Sequence, residues 1–441
     1  MSDQIEPDPR ALRLEAELSR KSFEARYPIP AFDGHSLPNL AASALARGTG
    51  KRPEGILPPL QRDVGGEADD EEKTQLVLLI DSFGWRMFRH LLDGPGGATG
   101  LAVARGLVPY TRPITSVFPP TTSSALLSLS TAVAPGTHGI VGYTEYFPGW
   151  GAVLNTLRFA PPWSKVPDLA VGKRFTRADW LPTPNLFAHD PGAVALTKEM
   201  FEGSPFTRVL YEGAEFVGFS GLSGLTRQLT HLLDRPAGRR PRLLWAYWDM
   251  LDTVNHVFGP EPGLASSELT EVFLALARAA RSVGEARARK VHLWVTGDHG
   301  QVRVTPETSR AAHADPRLLE LLDRPPAGER RAAFLKAREG KVDELRNHLA
   351  ETLPESWLTV PVERVLSSGL LGPGPFHPEL KARLGDLLVL PGPGEALYSR
   401  PPGDRGPEEH FLWGSHGGLD PDELLVSLVS LPFSELARWP V

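Results

Sequence analysis

Three short, uninterrupted apolar runs, Leu76–Ile80, Leu243–Trp248 and Val291–Val295, constrain the fold of this 441-residue chain more than any other feature. Each is too short for a packed helix and lacks the alternation of a half-exposed strand. Each therefore reads as a strand buried on both faces. Between the second and third runs, a segment from about Ser267 puts Leu269, Val272, Phe273, Leu276, Ala280 and Val283 on one helical face. Buried strands separated by amphipathic helices predict an α/β protein, a three-layer αβα sandwich around a mostly parallel central sheet. With 41% hydrophobic and 23% charged residues, the chain has the apolar side chains such a core needs.

The length allows one large domain with insertions. Residues 1–75 read as an N-terminal extension. It opens on a surface helix marked by Leu12, Leu14 and Leu18, and it ends in a polar, acidic loop over 61–74. Residues 76–302 together with 385–441 read as the catalytic core. Residues 303–384 are more charged, helical in pattern from Arg330 to Leu353, and show no buried strand, so they read as an accessory or cap insertion. Arg383–Leu390 looks like a strand returning to the core, and the Pro- and Gly-rich residues 391–410 like loop. Residues 144–190 read as an excursion over one face of the sheet.

Composition removes several function classes. There are no cysteines, which excludes disulfides, thiolate zinc sites and a cysteine nucleophile. A net charge of −6 gives no broad basic surface for nucleic acid. No apolar run approaches the ~20 residues that span a bilayer, and the N-terminus lacks a basic-then-apolar leader pattern. The expectation is a soluble, cytoplasmic protein, with its oligomeric state left open.

In open α/β sheets, ligands bind beyond the carboxyl ends of the strands. Four segments place metal-binding side chains there: Asp81; Asp252 with His256; Asp298 with His299, between glycines; and His416 in Gly414-Ser-His-Gly-Gly418. Asp252 and His256 stand four apart, on one face of a helical turn. Taken singly, each segment has a plainer reading as a cap, a turn or a surface pair. Taken in order, they supply six nitrogen and oxygen ligands, enough for two divalent ions with three protein ligands each, leaving room for a nucleophile and a substrate oxygen. Histidine favours zinc, and manganese tolerates the same ligands. Hydroxyls follow Phe118-Pro-Pro120 in Thr121, Thr122, Ser123 and Ser124, at the start of a helix through Ala125–Ser130. There, free N–H groups suit a phosphate, although a plain helix cap explains the same residues.

These segments resemble the type I phosphodiesterases/nucleotide pyrophosphatases of the alkaline phosphatase superfamily. The matches run in order: LVLLIDSFGW (76–85), FPPTTSSALLSLSTAVAPGTHGIVGY (118–143), WDMLDTVNHVFGP (248–260), VTGDHG (295–300) and WGSHGGL (413–419). The resemblance implies an alkaline phosphatase-like fold and hydrolysis of phosphodiester or pyrophosphate bonds in a small phosphorylated substrate. It implies one ion on Asp252, His256 and His416, and another on Asp81, Asp298 and His299. It makes Thr122 the nucleophile, touching both ions and carrying the phosphoryl group as an intermediate.

Two positions depart from the family pattern. Where relatives carry an aromatic that stacks a nucleobase, this chain has Ser123, so Trp85 or Trp150 would have to supply the ring. Where they carry a phosphate-binding Asn, it has Tyr143, which either donates its phenolic hydrogen to the phosphate or packs. Ser123 and Tyr143 are thus the expected substrate-binding positions. The nearest rival reading is a phosphomonoesterase or phosphonate hydrolase of the same superfamily. A non-catalytic member that binds a phosphorylated ligand would not need six ligands and a hydroxyl.

Overall fold

The computed structural model describes residues 5–61, 74–162, 164, 181, 183–399 and 411–439. The three apolar runs lie side by side as Leu243–Trp248, Thr74–Ile80 and Val291–Thr296, all parallel. They form the centre of a seven-stranded sheet, ordered Thr111–Thr115, Leu425–Pro432, Val291–Thr296, Thr74–Ile80, Leu243–Trp248, Val194–Lys198 and Glu215–Phe219. Leu425–Pro432 alone runs against the rest. Register aligns the strand ends: Leu79 stands opposite Thr296 on one side and Tyr247 on the other. Whatever follows these strands therefore emerges at one level on one edge of the sheet.

The longest helix, Pro262–Val283, buries Leu269, Val272, Phe273, Leu276, Ala280 and Val283 on the face the periodicity predicts. On the other face, helix Leu37–Thr49 packs against the Thr122–Thr131 helix and the central strands. Leu40, Ala41, Ala44 and Leu45 are wholly buried, so this part of the N-terminal segment belongs to the core. Its capping box, Ser36 with Asn39, and left-handed Gly50 fix where the helix starts and stops. The expected opening helix is Pro9–Leu18, which buries Ala11, Leu14 and Leu18.

A second, antiparallel sheet has six strands in the order Leu358–Pro361, Leu387–Leu390, Ala332–Leu335, Ala327–Glu329, Thr144–Phe147 and Ala152–Asn155. Several expectations change here. Residues 303–384 do contain a buried strand, Ala332–Leu335, and helix occupies only Val342–Thr352 within the Arg330–Leu353 stretch. The charges around Ala332 disguise the strand, because Arg331 is buried against Glu423 instead of facing solvent. Leu387–Leu390 joins this second sheet and not the central one. The 144–190 excursion begins as a hairpin of the same sheet. Within 391–410, Ala396–Tyr398 pairs with Ser309–Ala311, while residues 400–410 lie outside the described residues. The acidic loop, except for its ends at Gln61 and Thr74, also lies outside them. Among the described residues, no helix is long and apolar enough to cross a membrane.

Candidate functional site

The aligned strand ends bring the six candidate ligands together. Asp81 follows Ile80 directly. Asp298 and His299 follow Thr296 after Gly297, where a Cβ would come within 2.6 Å of the Phe83 carbonyl oxygen, so only glycine lets the turn pack this tightly. Asp252 and His256 lie on helix Met250–Phe258, with His256 Nε2 3.3 Å from Asp252 Oδ2. His416 arrives on the short pairing of Gly414–Ser415 with Val302–Arg303.

The cluster has a buried and an outer part. Ligand atoms of Asp81, Asp298 and His299, all buried, lie within 4.8 Å of one another. His299 Nε2 is 3.4 Å from both Asp81 Oδ1 and Asp298 Oδ2. Asp252 and His416 form a second such group with His299, not with His256, which stands at its edge. The His416 ring stacks on His299 at 3.7 Å and lies 5.3 Å from His256.

Hydrogen bonding shows which ring nitrogens are available. Nδ1 of His256 faces the Gly414 carbonyl at 2.8 Å, that of His299 the Gly300 carbonyl at 3.1 Å, and that of His416 the Pro120 carbonyl at 3.2 Å. A carbonyl only accepts, so Nδ1 carries the proton in each ring and Nε2 is the bare nitrogen, the arrangement of a metal-ligating histidine. Asp81 Oδ1 and Asp298 Oδ2 are buried without a hydrogen-bond donor. Burial, then the carboxylates of Asp298 and Asp252, push the Asp81 carboxyl well above its usual range. Burial, then His299 and His256, hold the His416 imidazole well below its own. Bare nitrogens and unpartnered carboxylate oxygens that converge in a buried place fit a divalent cation.

Thr122 is the first residue of the helix Thr122–Thr131, with Thr121 as its cap. Its Oγ1 lies 3.4 Å from His299 Nε2. Two neighbouring hydroxyls are committed elsewhere: Ser123 Oγ donates to the Gly142 carbonyl at 3.0 Å and Ser124 Oγ to the Ile140 carbonyl at 2.9 Å. Ser123, expected at the substrate, is a buried brace.

Over residues 75–419 the sequence matches the family described as Type I phosphodiesterase / nucleotide pyrophosphatase. The chain belongs to that family. It is a hydrolase of the phosphodiesterase/nucleotide pyrophosphatase type. Among solved structures it is similar to murine ectonucleotide pyrophosphatase/phosphodiesterase 5, with a TM-score of 0.57 and 17% identity, covering 81% of this chain and 87% of that one. An inactive form of the murine protein in complex with AMP aligns with a TM-score of 0.57 and 16% identity, over 83% of this chain and 93% of that one. The human protein gives a TM-score of 0.55 and 16% identity, over 83% and 92%. At such identity the likeness carries the fold alone. No curated protein sequence matches the chain.

Several residues that the sequence motifs left unmarked complete the site of this family member. The Tyr247 phenol donates to Asp81 Oδ2, and the Gln301 amide donates to Asp252 Oδ1. The backbone N–H groups of Ser82 and His299 both donate to Asp298 Oδ1, at 2.9 and 3.0 Å. Beyond the ligands, a cavity of about 620 Å³ opens between the central sheet and the second one, lined by Tyr143, Arg158, Phe201, Tyr247, Glu329 and Tyr398 among others. Burial pushes the Glu329 carboxyl up to about 7. Trp85 is wholly buried in the core, and neither it nor Trp150 lines the cavity. Among the described residues, the phenyl and phenol rings that line the cavity are those of Tyr143, Phe201, Tyr247 and Tyr398. Tyr247 and Gln301 were readable in principle, one as a polar end in a buried strand and the other as the residue after the Asp-His-Gly turn. Arg158, Glu329 and Arg330 carry no local signal.

Proposed function

We propose that the chain hydrolyses phosphodiester or pyrophosphate bonds through a phosphoryl-threonine intermediate on Thr122. Two divalent cations, zinc or failing that manganese, are held in this reading by Asp81, Asp298 and His299 and by Asp252, His256 and His416. The observation that carries the reading is the closeness of the Thr122 hydroxyl to the bare Nε2 of His299, beside carboxylate oxygens without donors. Bound cations supply charge neutralisation and a lowered hydroxyl pKa. The chain's own residues do the rest. Thr122 Oγ1 gives its proton to solvent as it attacks phosphorus, and the bond to the leaving oxygen breaks on the opposite side, that oxygen keeping the electron pair and taking up a proton from water. Free N–H groups in the first turn hold the phosphoryl oxygens. Water then attacks the same phosphorus and returns the Thr122 hydroxyl. The cap reading of residues 303–384 is part of this proposal, since Glu329 and Arg330 line the cavity.

The test is a set of single substitutions assayed on bis-p-nitrophenyl phosphate. Thr122→Ala should stay folded, retain its metals and lose several orders of magnitude in rate. Thr121→Ala and Ser124→Ala should keep most of the activity, the second at a stability cost of about 1 kcal/mol for its lost hydrogen bond. Thr122→Ser should retain part of it. Near wild-type turnover by Thr122→Ala would sink the mechanism.

A further inference from the structure

Thr122 is held from both sides along the chain. Two residues before it, the Pro120 carbonyl accepts a hydrogen bond from His416 Nδ1 at 3.2 Å. One residue after it, Ser123 Oγ donates to the Gly142 carbonyl at 3.0 Å, an oxygen that also accepts from Thr156 Oγ1 at 3.0 Å. The peptide group that begins with this carbonyl ends in the N–H of Tyr143, which donates to Glu329 Oε1 at 2.6 Å. A trans peptide group is planar and rigid, with its N–H and C=O pointing opposite ways. Fixing the N–H at Glu329 therefore fixes the carbonyl at Ser123, and each bond polarises the group in favour of the other.

Glu329 also meets the other flank. Gly417 follows His416 directly, and a Cβ on it would run into the Cβ and Cγ of Glu329. The loop that carries His416 thus packs on the stem of Glu329, while the carboxyl group holds the Gly142–Tyr143 peptide. Gly142 in turn passes so close to the strand Ala327–Glu329 that a Cβ on it would lie 2.7 Å from the Gly328 Cα. Three segments far apart in sequence meet on one side chain, and that side chain lines the same cavity as Thr122.

We propose that Glu329 is a positioning residue of the hydrolysis: it wedges the Gly142–Tyr143 peptide against the His416–Gly417 loop and so fixes the Thr122 hydroxyl relative to the metal ligands. It acts by reach and shape, through the Tyr143 N–H, and its charge takes no part in the chemical step. The role rests on the reading of Thr122 as the nucleophile in this cavity.

Two variants separate reach from charge. Glu329→Gln keeps the length and an acceptor oxygen and loses the charge. Glu329→Asp keeps the charge and falls one methylene short of the Tyr143 N–H. With metal-loaded protein and bis-p-nitrophenyl phosphate, Glu329→Gln should stay close to wild type. Glu329→Asp should lose roughly ten- to hundredfold in kcat with KM little changed, the cost of a reacting group misplaced by about 1 Å. Amide hydrogen exchange over residues 139–143 of the metal-free protein should quicken in Glu329→Asp and not in Glu329→Gln. Equal kcat values in the two variants would overturn the role, as would a loss confined to Glu329→Gln, which would make the charge the active feature. A change in KM alone would overturn it too, since Glu329 would then be touching substrate. A wild type that leaves the diester intact would instead sink the Thr122 reading. The exchange measurement then still decides Glu329, because equal rates in the two variants would mean that its reach holds nothing.

Discussion

Tyr247 sits in a strand whose other residues are apolar, yet its hydroxyl reaches Asp81. Burial, then the charge of Asp81, push the Tyr247 phenol well above its ordinary range, so it remains a donor at any working pH. That bond ties down Asp81 Oδ2 and turns Oδ1 toward His299. Outer partners of this kind are worth roughly 10–100-fold in metal affinity. Tyr247→Phe keeps the ring against Phe201, whose centroid lies 6.2 Å away, and removes only the donor. Chelator competition should therefore show a roughly ten- to hundredfold weaker ion, with the melting point of the metal-free protein little changed. An unaltered affinity would remove Tyr247 from the metal-positioning set. Ser82 makes the same argument through its backbone. Its φ of 71° is left-handed, uncommon for serine, and that geometry aims its N–H at Asp298. Such strain costs about 1–3 kcal/mol and persists where surrounding bonds over-determine it. Asn255 Nδ2 supplies one of them, donating to Ser82 Oγ at 3.2 Å.

The helix Thr122–Thr131 is braced by a histidine that never meets the substrate. His138 Nδ1 accepts the Ile140 N–H at 3.1 Å, so its Nε2 carries the proton, facing Ser128 Oγ at 2.9 Å and the Ser124 carbonyl at 3.2 Å. The Pro135-Gly-Thr-His138-Gly-Ile140 motif thus acts as a clamp on the helix that presents Thr122. Burial pushes the His138 imidazole down to about 3. An unfolded histidine takes up a proton near 6.5, so the unfolded chain binds more protons between these values. The stability that neutral His138 contributes is complete above pH ~6.5 and is lost progressively as the pH falls toward the folded value of about 3. In thermal melts of the metal-free protein, His138→Gln should melt lower than wild type at pH 8. Its stability should then fall less steeply between pH 6.5 and 5. Parallel curves for the two proteins would rule out His138 as a source of the acid sensitivity.

At the scale of the molecule, the cavity lies between two sheets that are joined, beside apolar packing, by the buried pair Arg331–Glu423, 1% and 0% exposed, with Nη2 2.6 Å from Oε2. Arg331 also donates Nη1 to the carbonyls of Gly392 and Glu395 at 2.5 and 2.6 Å, and Glu423 accepts the Gly418 N–H at 2.8 Å. Glu423 ends just before Leu425–Pro432 of the central sheet, while Arg331 lies in the hairpin that carries Glu329 and Arg330. Removing one partner strands a buried charge, a loss of about 3–5 kcal/mol. Arg331→Met and Glu423→Leu should each show this in urea denaturation, and the double variant carrying both substitutions should lose less than the sum of the single losses. Additive losses would mean that the two side chains do not stabilise each other.

The sequence by itself determined the central sheet and the ligand level. Short continuous apolar runs suit strands buried on both faces, and polar residues directly after such strands emerge at their carboxyl ends. Asp81, Asp298 and His299 converge because three parallel strands stop in register, and Asp252 meets His256 because a helix repeats near every fourth residue. The tertiary structure alone decided the rest. Ala332–Leu335 was hidden because the arginine before it is neutralised by a glutamate far along the chain. His416 groups with Asp252 and His299, and its ring lies 3.7 Å from His299 against 5.3 Å from its expected partner His256, a placement no sequence order sets. Arg158 could not be read as a wall of the cavity, because its place there depends on the hairpin that folds it back onto Tyr143. Local patterns encode burial and periodicity, whereas the walls of a cavity come from segments whose only relation is that they pack together.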